Sequence, residues 1–144
     1  MSQTDSSSQT DWALLFSAWA FSAFAALGSI FFSHVMGFAP CLLCWYQRIF
    51  LFPLALILAV GLFPFDRKAA RYGLALAIPG WFVALYHNLL YSGIIPQELQ
   101  PCSSGVSCTE KYIDLFGFIT IPMLSLMTFT ILIAVLIILI KRGK

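Results

Sequence analysis

A chain of 144 residues with 60% apolar side chains, 16% aromatic and only 10% charged has too little polar surface to cover a water-soluble domain of its size. The formal net charge of +2 comes without a basic patch interleaved with aromatics, a glycine-rich phosphate loop or an internal repeat, which sets aside nucleic-acid and nucleotide binding. An all-α membrane protein is expected, built as a bundle of four transmembrane helices.

Residues 1–11 form a Ser/Thr-rich polar tail without Lys or Arg. The apolar stretch after it is too long for a signal peptide, so it is read as a retained first span over 12–33. Within it Ala18, Ser22 and Ala26 recur every four residues, a small-residue stripe that lets a neighbouring helix approach closely in lipid. Three further spans are expected at 45–65, 72–91 and 117–140, making 12–140 a single membrane domain closed by a basic tail at 141–144. Pro53, Pro79 and Pro122 fall within the spans, where neighbouring helices can satisfy the carbonyls that proline frees.

Arg67, Lys68 and Arg71 crowd the second connection, and Lys141, Arg142 and Lys144 the C-terminal tail. Positive charge is retained on the cytoplasmic side, so both termini are expected there. The connections 34–44 and 92–116 then face outward, and between them they carry all four cysteines.

Two local pairs are suggested by spacing, although four cysteines allow three pairings by counting alone. The first is a CxxC, Cys41 and Cys44, immediately before the second span. Cys44 is expected at or just outside a helix N-terminus, where the macrodipole favours a thiolate. Arg48 follows four residues later on the same helix face. It is the only formal charge inside the expected spans, and a cation in a bilayer helix is costly enough to signal function when it does not simply snorkel. The second pair, Cys102 and Cys108, encloses five small or flexible residues. A ring that short stabilises a bundle by only about 2 to 2.5 kcal/mol, so an exchanging disulfide is preferred over a structural staple. Pro40 and Pro101 each precede the first cysteine of a pair.

His87 is expected in the same layer as Arg48. The two can bracket the oxygens of a membrane-dissolved ring such as a quinone, Arg48 holding an anionic oxygen and His87 donating a hydrogen bond or proton. Alternatively, His87 is bonded to a neighbouring helix or to interfacial water. His34 reads as a solvated loop residue, and Trp45, Tyr46, Tyr86 and Tyr91 as an interfacial aromatic belt.

The runs Phe32-Ser33-His34-Val35-Met36 and Pro40-Cys41-Leu42-Leu43-Cys44-Trp45-Tyr46-Gln47-Arg48 resemble the membrane disulfide-forming quinone reductases of the DsbB family. Pro101-Cys102-Ser103-Ser104-Gly105-Val106-Ser107-Cys108 and Phe116-Gly117-Phe118-Ile119-Thr120-Ile121-Pro122 are similar to its short branch, disulfide formation protein C (BdbC). The resemblance covers residues 12–140. It implies an enzyme of the bacterial cytoplasmic membrane, with its cysteine loops facing the periplasm or cell exterior. Its soluble partner would be a thioredoxin-fold oxidase similar to DsbA, attacking at Cys102. Electrons would pass from the freed Cys108 to Cys41, release Cys44 and end on ubiquinone or menaquinone, with Arg48 stabilising the growing negative charge. Two rival readings use the same cysteines. In one they join His34 as soft zinc or copper ligands, which an oxidising compartment disfavours; in the other they only staple loops of a membrane scaffold.

Overall fold

The structure of the chain, a computed structural model, describes residues 2–99 and 120–143, with side chains at 8–96, 98–99 and 120–143. Four α-helices follow in order: α1 (Ser2–His34), α2 (Leu42–Val60), α3 (Lys68–Tyr91) and α4 (Ile121–Arg142), with one 3-10 turn at Gln97–Leu99. No strand occurs among the described residues. All four helices are long and apolar enough to cross a membrane. The shortest, α2, has 19 residues and rises about 28 Å, close to the roughly 30 Å of a bilayer's hydrocarbon.

The helix bounds depart from the expected spans where backbone and apolarity part company. The α1 helix runs back through the polar segment to Ser2 rather than starting at Trp12, and α3 starts at Lys68 rather than Tyr72. The α2 helix begins at Leu42 and closes at Val60, ahead of the expected Phe65. Its end is set locally: Gly61 is the C-cap, the Asp66 amide donates to the Gly61 carbonyl at 2.8 Å, and the Lys68 amide donates to Asp66 Oδ1 at 2.8 Å. The expected span 117–140 begins outside the described residues.

The helices close a ring, with α3 packed on α2 and α4, and α1 on α2 and α4. Lipid is as apolar as leucine, so close packing rather than water exclusion must hold such a bundle together. The sequence supplies this asymmetrically. The inward face of α3 carries Ala70, Gly73, Ala77, Gly80 and Ala84, spaced alternately by three and four residues, and the facing helices carry Leu51, Leu54 and Leu58 on α2 and Phe129, Leu132, Leu136 and Leu139 on α4. A Cβ placed on Gly80 would lie 2.4 Å from the Phe129 ring, and one on Gly73 would lie 3.1 Å from Leu58 Cδ2. The stripe on α1 behaves as expected, with Ala18 and Ser22 fully buried.

Both ends of this bundle bury polar groups. At one end Asp11, 1% exposed, accepts hydrogen bonds from Arg67 at the start of α3 and from Arg142 near the end of α4, the latter at 3.1 Å. At the other end, continuing the α2 and α3 core faces, lie Cys41, Gln47, Arg48 and His87.

Candidate functional site

The backbone brings the two sulfurs of the CxxC together. Cys41 is extended (φ −72°, ψ 170°) and serves as the N-cap of α2, so Cys44 occupies the third position of the first turn. This is the spacing at which a cap side chain and the third helical residue meet at any helix start. Their Sγ atoms lie 3.2 Å apart as a pair of free thiols. The sequence expectation put Cys44 at or outside the helix start. The structure corrects this by one turn, because the helix begins as soon as Pro40 and the extended Cys41 are passed. Cys41 therefore takes the capping place, beside amide groups of the first turn that have no helical partner. The hydrogen bond from Cys44 holds the Cys41 thiol well below its ordinary range, helped by a hydrogen bond and favourable charge interaction with His87, while burial opposes the shift.

Arg48 lies one turn beyond Cys44 and is buried. It is fixed from α1: Nε donates to Ser29 Oγ at 2.7 Å, Nη2 donates to the Ser29 carbonyl at 2.8 Å, and Nη2 also donates to Ser33 Oγ. Its guanidinium carbon sits 5.3 Å from the centre of the Trp45 ring, a distance at which a cation is attracted by the ring face. These partners are all neutral. No ionic partner neutralises this buried cation among the described residues. Trp45 and Tyr46, 52% and 43% exposed, are turned outward at the same level.

Of the two expectations for His87, the contacts of the imidazole are those of bonding to a neighbouring helix. His87 is 3% exposed, and it continues the small-residue face of α3 by the next step of three after Ala84. Its Nε2 faces Cys41 Sγ at 3.8 Å and its Nδ1 faces the Gln47 amide nitrogen at 3.1 Å. Both ring nitrogens thus engage protein groups of α2, and the imidazole addresses a sulfur. Leu43 and Leu90, with Val83, Tyr86 and Ile95 around them, close an apolar shell over Cys41 and Cys44. The ligand atoms of Cys41, Cys44 and His87 all lie within 4.8 Å of one another. The remaining two sequence candidates, Cys102 and Cys108, lie outside the described residues, as does most of the expected connection 92–116.

Gln47, Ser29 and Ser33 carry parts of the site that sequence reasoning missed. Each left a signal. Gln47 is the polar member of an otherwise apolar face that includes Leu43, Leu51, Leu54 and Leu58. Ser29 and Ser33 extend the α1 stripe beyond Ala26 by steps of three and four.

Comparison with known proteins agrees with this arrangement. Residues 10–139 match the family described as "Disulfide bond formation protein DsbB". The chain is 45% identical over 132 residues to a "Probable disulfide formation protein" of Metapseudomonas resinovorans, covering 91% of each chain. It is 44% identical over 130 residues to "Disulfide bond formation protein C" of Bacillus subtilis (strain 168), covering 90% of this chain and 94% of that one. A "Probable disulfide formation protein C 1" of Bacillus anthracis is 43% identical over 115 residues, 80% of this chain and 83% of the relative. No solved structure matches. The chain belongs to the DsbB family of disulfide bond formation proteins, as a four-helix membrane protein with a disulfide-forming oxidoreductase role.

Proposed function

We propose that the protein is a thiol:quinone oxidoreductase that reoxidises a DsbA-like thioredoxin-fold oxidase outside the cytoplasm. The observation that carries this reading is the Cys41–Cys44 dithiol set one helical turn from a buried arginine with neutral partners. Electrons enter at the Cys102/Cys108 pair, where the reduced partner attacks Cys102 and frees Cys108. Cys108 then attacks Cys41 and releases Cys44. The partner's second thiol then attacks the mixed disulfide and releases Cys102, Cys102 attacks Cys108 to re-form their disulfide and release Cys41, and the Cys41–Cys44 disulfide closes again as its two electrons pass to the acceptor.

A membrane quinone, ubiquinone or menaquinone, supplies the sink by accepting those two electrons with two protons. The chain's own groups prepare the transfer. Cys44 and His87 stabilise negative charge on Cys41, the sulfur that must leave and return during exchange. Arg48, pinned by Ser29 and Ser33, holds a positive charge where an acceptor oxygen turns anionic; a charge fixed in advance in a low-dielectric layer is worth more than one recruited from water. His87 serves the sulfur rather than the acceptor.

In this reading the cysteine end lies outside the bacterial cytoplasmic membrane, and the distribution of cations supports it. Arg67, Lys68, Arg71, Lys141 and Arg142 all lie at the opposite end of the bundle, as retained cytoplasmic charge requires.

The test is quinone reduction in detergent-solubilised membranes with a reduced DsbA-like protein as donor. Thiol-dependent reduction is expected in the wild type, with loss in Cys44→Ser and Cys102→Ser and weakening in Arg48→Ala. A wild type that leaves both quinones oxidised while its cysteines stay inert overturns the reading in favour of a stapled scaffold.

A further inference from the structure

Three groups with metal-binding chemistry converge at the end of the bundle: the two thiols of the CxxC and the imidazole of His87. We infer that in the reduced state Cys41 Sγ, Cys44 Sγ and His87 Nε2 form a binding site for a thiophilic divalent cation of the zinc class, and that the cation locks the enzyme reduced. The inhibitory consequence rests on the function proposed above; the binding itself does not.

Geometry supports the donor set. Zinc bonds of about 2.3 Å to sulfur and about 2.0–2.1 Å to nitrogen, set tetrahedrally, require donor separations of roughly 3.8 Å between sulfurs and roughly 3.6 Å from sulfur to nitrogen. The Cys41 to His87 edge is 3.8 Å and the sulfur–sulfur edge 3.2 Å. All three donor atoms lie within 4.8 Å of one another, so an opening of about half an ångström between the thiols and a closing of at most about 1.2 Å on the third edge complete the tetrahedral face, within the reach of χ1 adjustments. Three protein donors leave the fourth position open.

Charge supports it as well. Binding a divalent cation releases whatever protons the two sulfurs still carry, so the occupied centre of two thiolates and one metal is neutral. A neutral product suits an apolar shell of Leu43, Leu90 and Val83 and adds no net charge beside Arg48. No electrons move in this step.

The surroundings supply the orienting group that such a histidine needs. A metal-bound imidazole normally donates its other N–H to a carbonyl or carboxylate. Gln47 stands at 3.1 Å from Nδ1, and a half-turn of its amide presents the carbonyl oxygen there. Gln47 is thus a positioning residue for the bound form. Oxidation removes the site, because a disulfide has no thiolate to offer, so occupancy is confined to the interval between electron arrival and disulfide closure.

Cobalt(II), as a coloured substitute for zinc, tests this in the full-length protein in detergent. The reduced wild type is expected to give tetrahedral ligand-field bands with thiolate charge transfer, the oxidised protein none. Reduced Cys102→Ser/Cys108→Ser keeps the bands and Cys41→Ser loses them. His87→Ala weakens binding, and Gln47→Leu weakens it about 10- to 100-fold. Without any substitution, zinc is expected to protect Cys41 and Cys44 of the reduced wild type from alkylation read residue by residue.

Absence of that protection overturns the inference, as does cobalt colour that survives Cys41→Ser or affinity unchanged by His87→Ala. Colour in a protein that fails to reduce quinone overturns only the function proposed above. Conversely, quinone reduction insensitive to zinc at saturating occupancy overturns the lock.

Discussion

The two ends of the bundle bury opposite charges and treat them in opposite ways. Asp11 is neutralised by two arginines that reach it from α3 and α4, both of them nearly half exposed. That arrangement leaves no net anionic charge to act on anything else; it ties three helices together. Arg48 meets only serine hydroxyls, one carbonyl and an indole ring. Among the described residues the ion pairs all involve Asp11. A charge with an ionic partner is structural, and a charge solvated by dipoles alone is still available to an incoming anion. Burying the latter without a counter-ion costs stability, and its place beside a dithiol gives the reason for retaining it.

Substitutions can break this contrast in order of effect. Arg48→Met should lower thiol-driven quinone reduction by about 10²- to 10³-fold, the scale for losing a preorganised group at a developing oxyanion. The protein should keep or raise its thermal midpoint, and an equal loss of folded protein would make Arg48 a structural cation after all. Arg48→Lys should recover only part of the activity, because an ammonium cannot reproduce the fork that Ser29 and Ser33 hold.

Gly80→Leu tests the scaffold between the two ends. Its side chain must enter the Phe129 ring, and overpacking of this kind costs about 1–3 kcal/mol. Thermal unfolding in detergent should show a lowered midpoint, partly restored by Phe129→Ala in the same chain.

Asp11→Asn should cost about 1–2 kcal/mol in the same assay, near the lower part of the range for charge-assisted hydrogen bonds because both arginines are partly solvated. Quinone reduction per folded molecule should be unchanged. A drop in turnover without a drop in stability would show that the two ends are coupled.

Ser29→Ala and Ser33→Ala should have the smallest effect, a several-fold loss of turnover each, since the remaining partner still restrains Arg48. Measured in the Arg48→Met background, the same serine changes should add nothing, as expected for groups that act through one side chain.

Much of this was legible beforehand. Four apolar runs of bilayer length, the CxxC and the arginine four residues beyond it are local patterns, and the helix period alone carries Cys44 and Arg48 to one face. His87 was legible as a residue at the right depth, yet its partners were not. Depth follows from counting along one helix, whereas the direction of a side chain depends on how that helix is rotated against its neighbours. The small-residue face of α3 fixes that rotation by admitting Phe129 and Leu58, and so turns His87 toward α2. Asp11 was read as part of a polar tail for a related reason: its burial requires arginines 56 and 131 residues away.

The apolar spans, their number, the thiol pair and the cation are thus local properties, because each rests on composition or on spacing within one helix. Which groups they meet is a matter of packing between helices: Ser29 and Ser33 for Arg48, Gln47 and Cys41 for His87, Arg67 and Arg142 for Asp11. Those pairings cross between helices, and in a bundle held by close packing they are set by where glycine and alanine let one helix sink against the next.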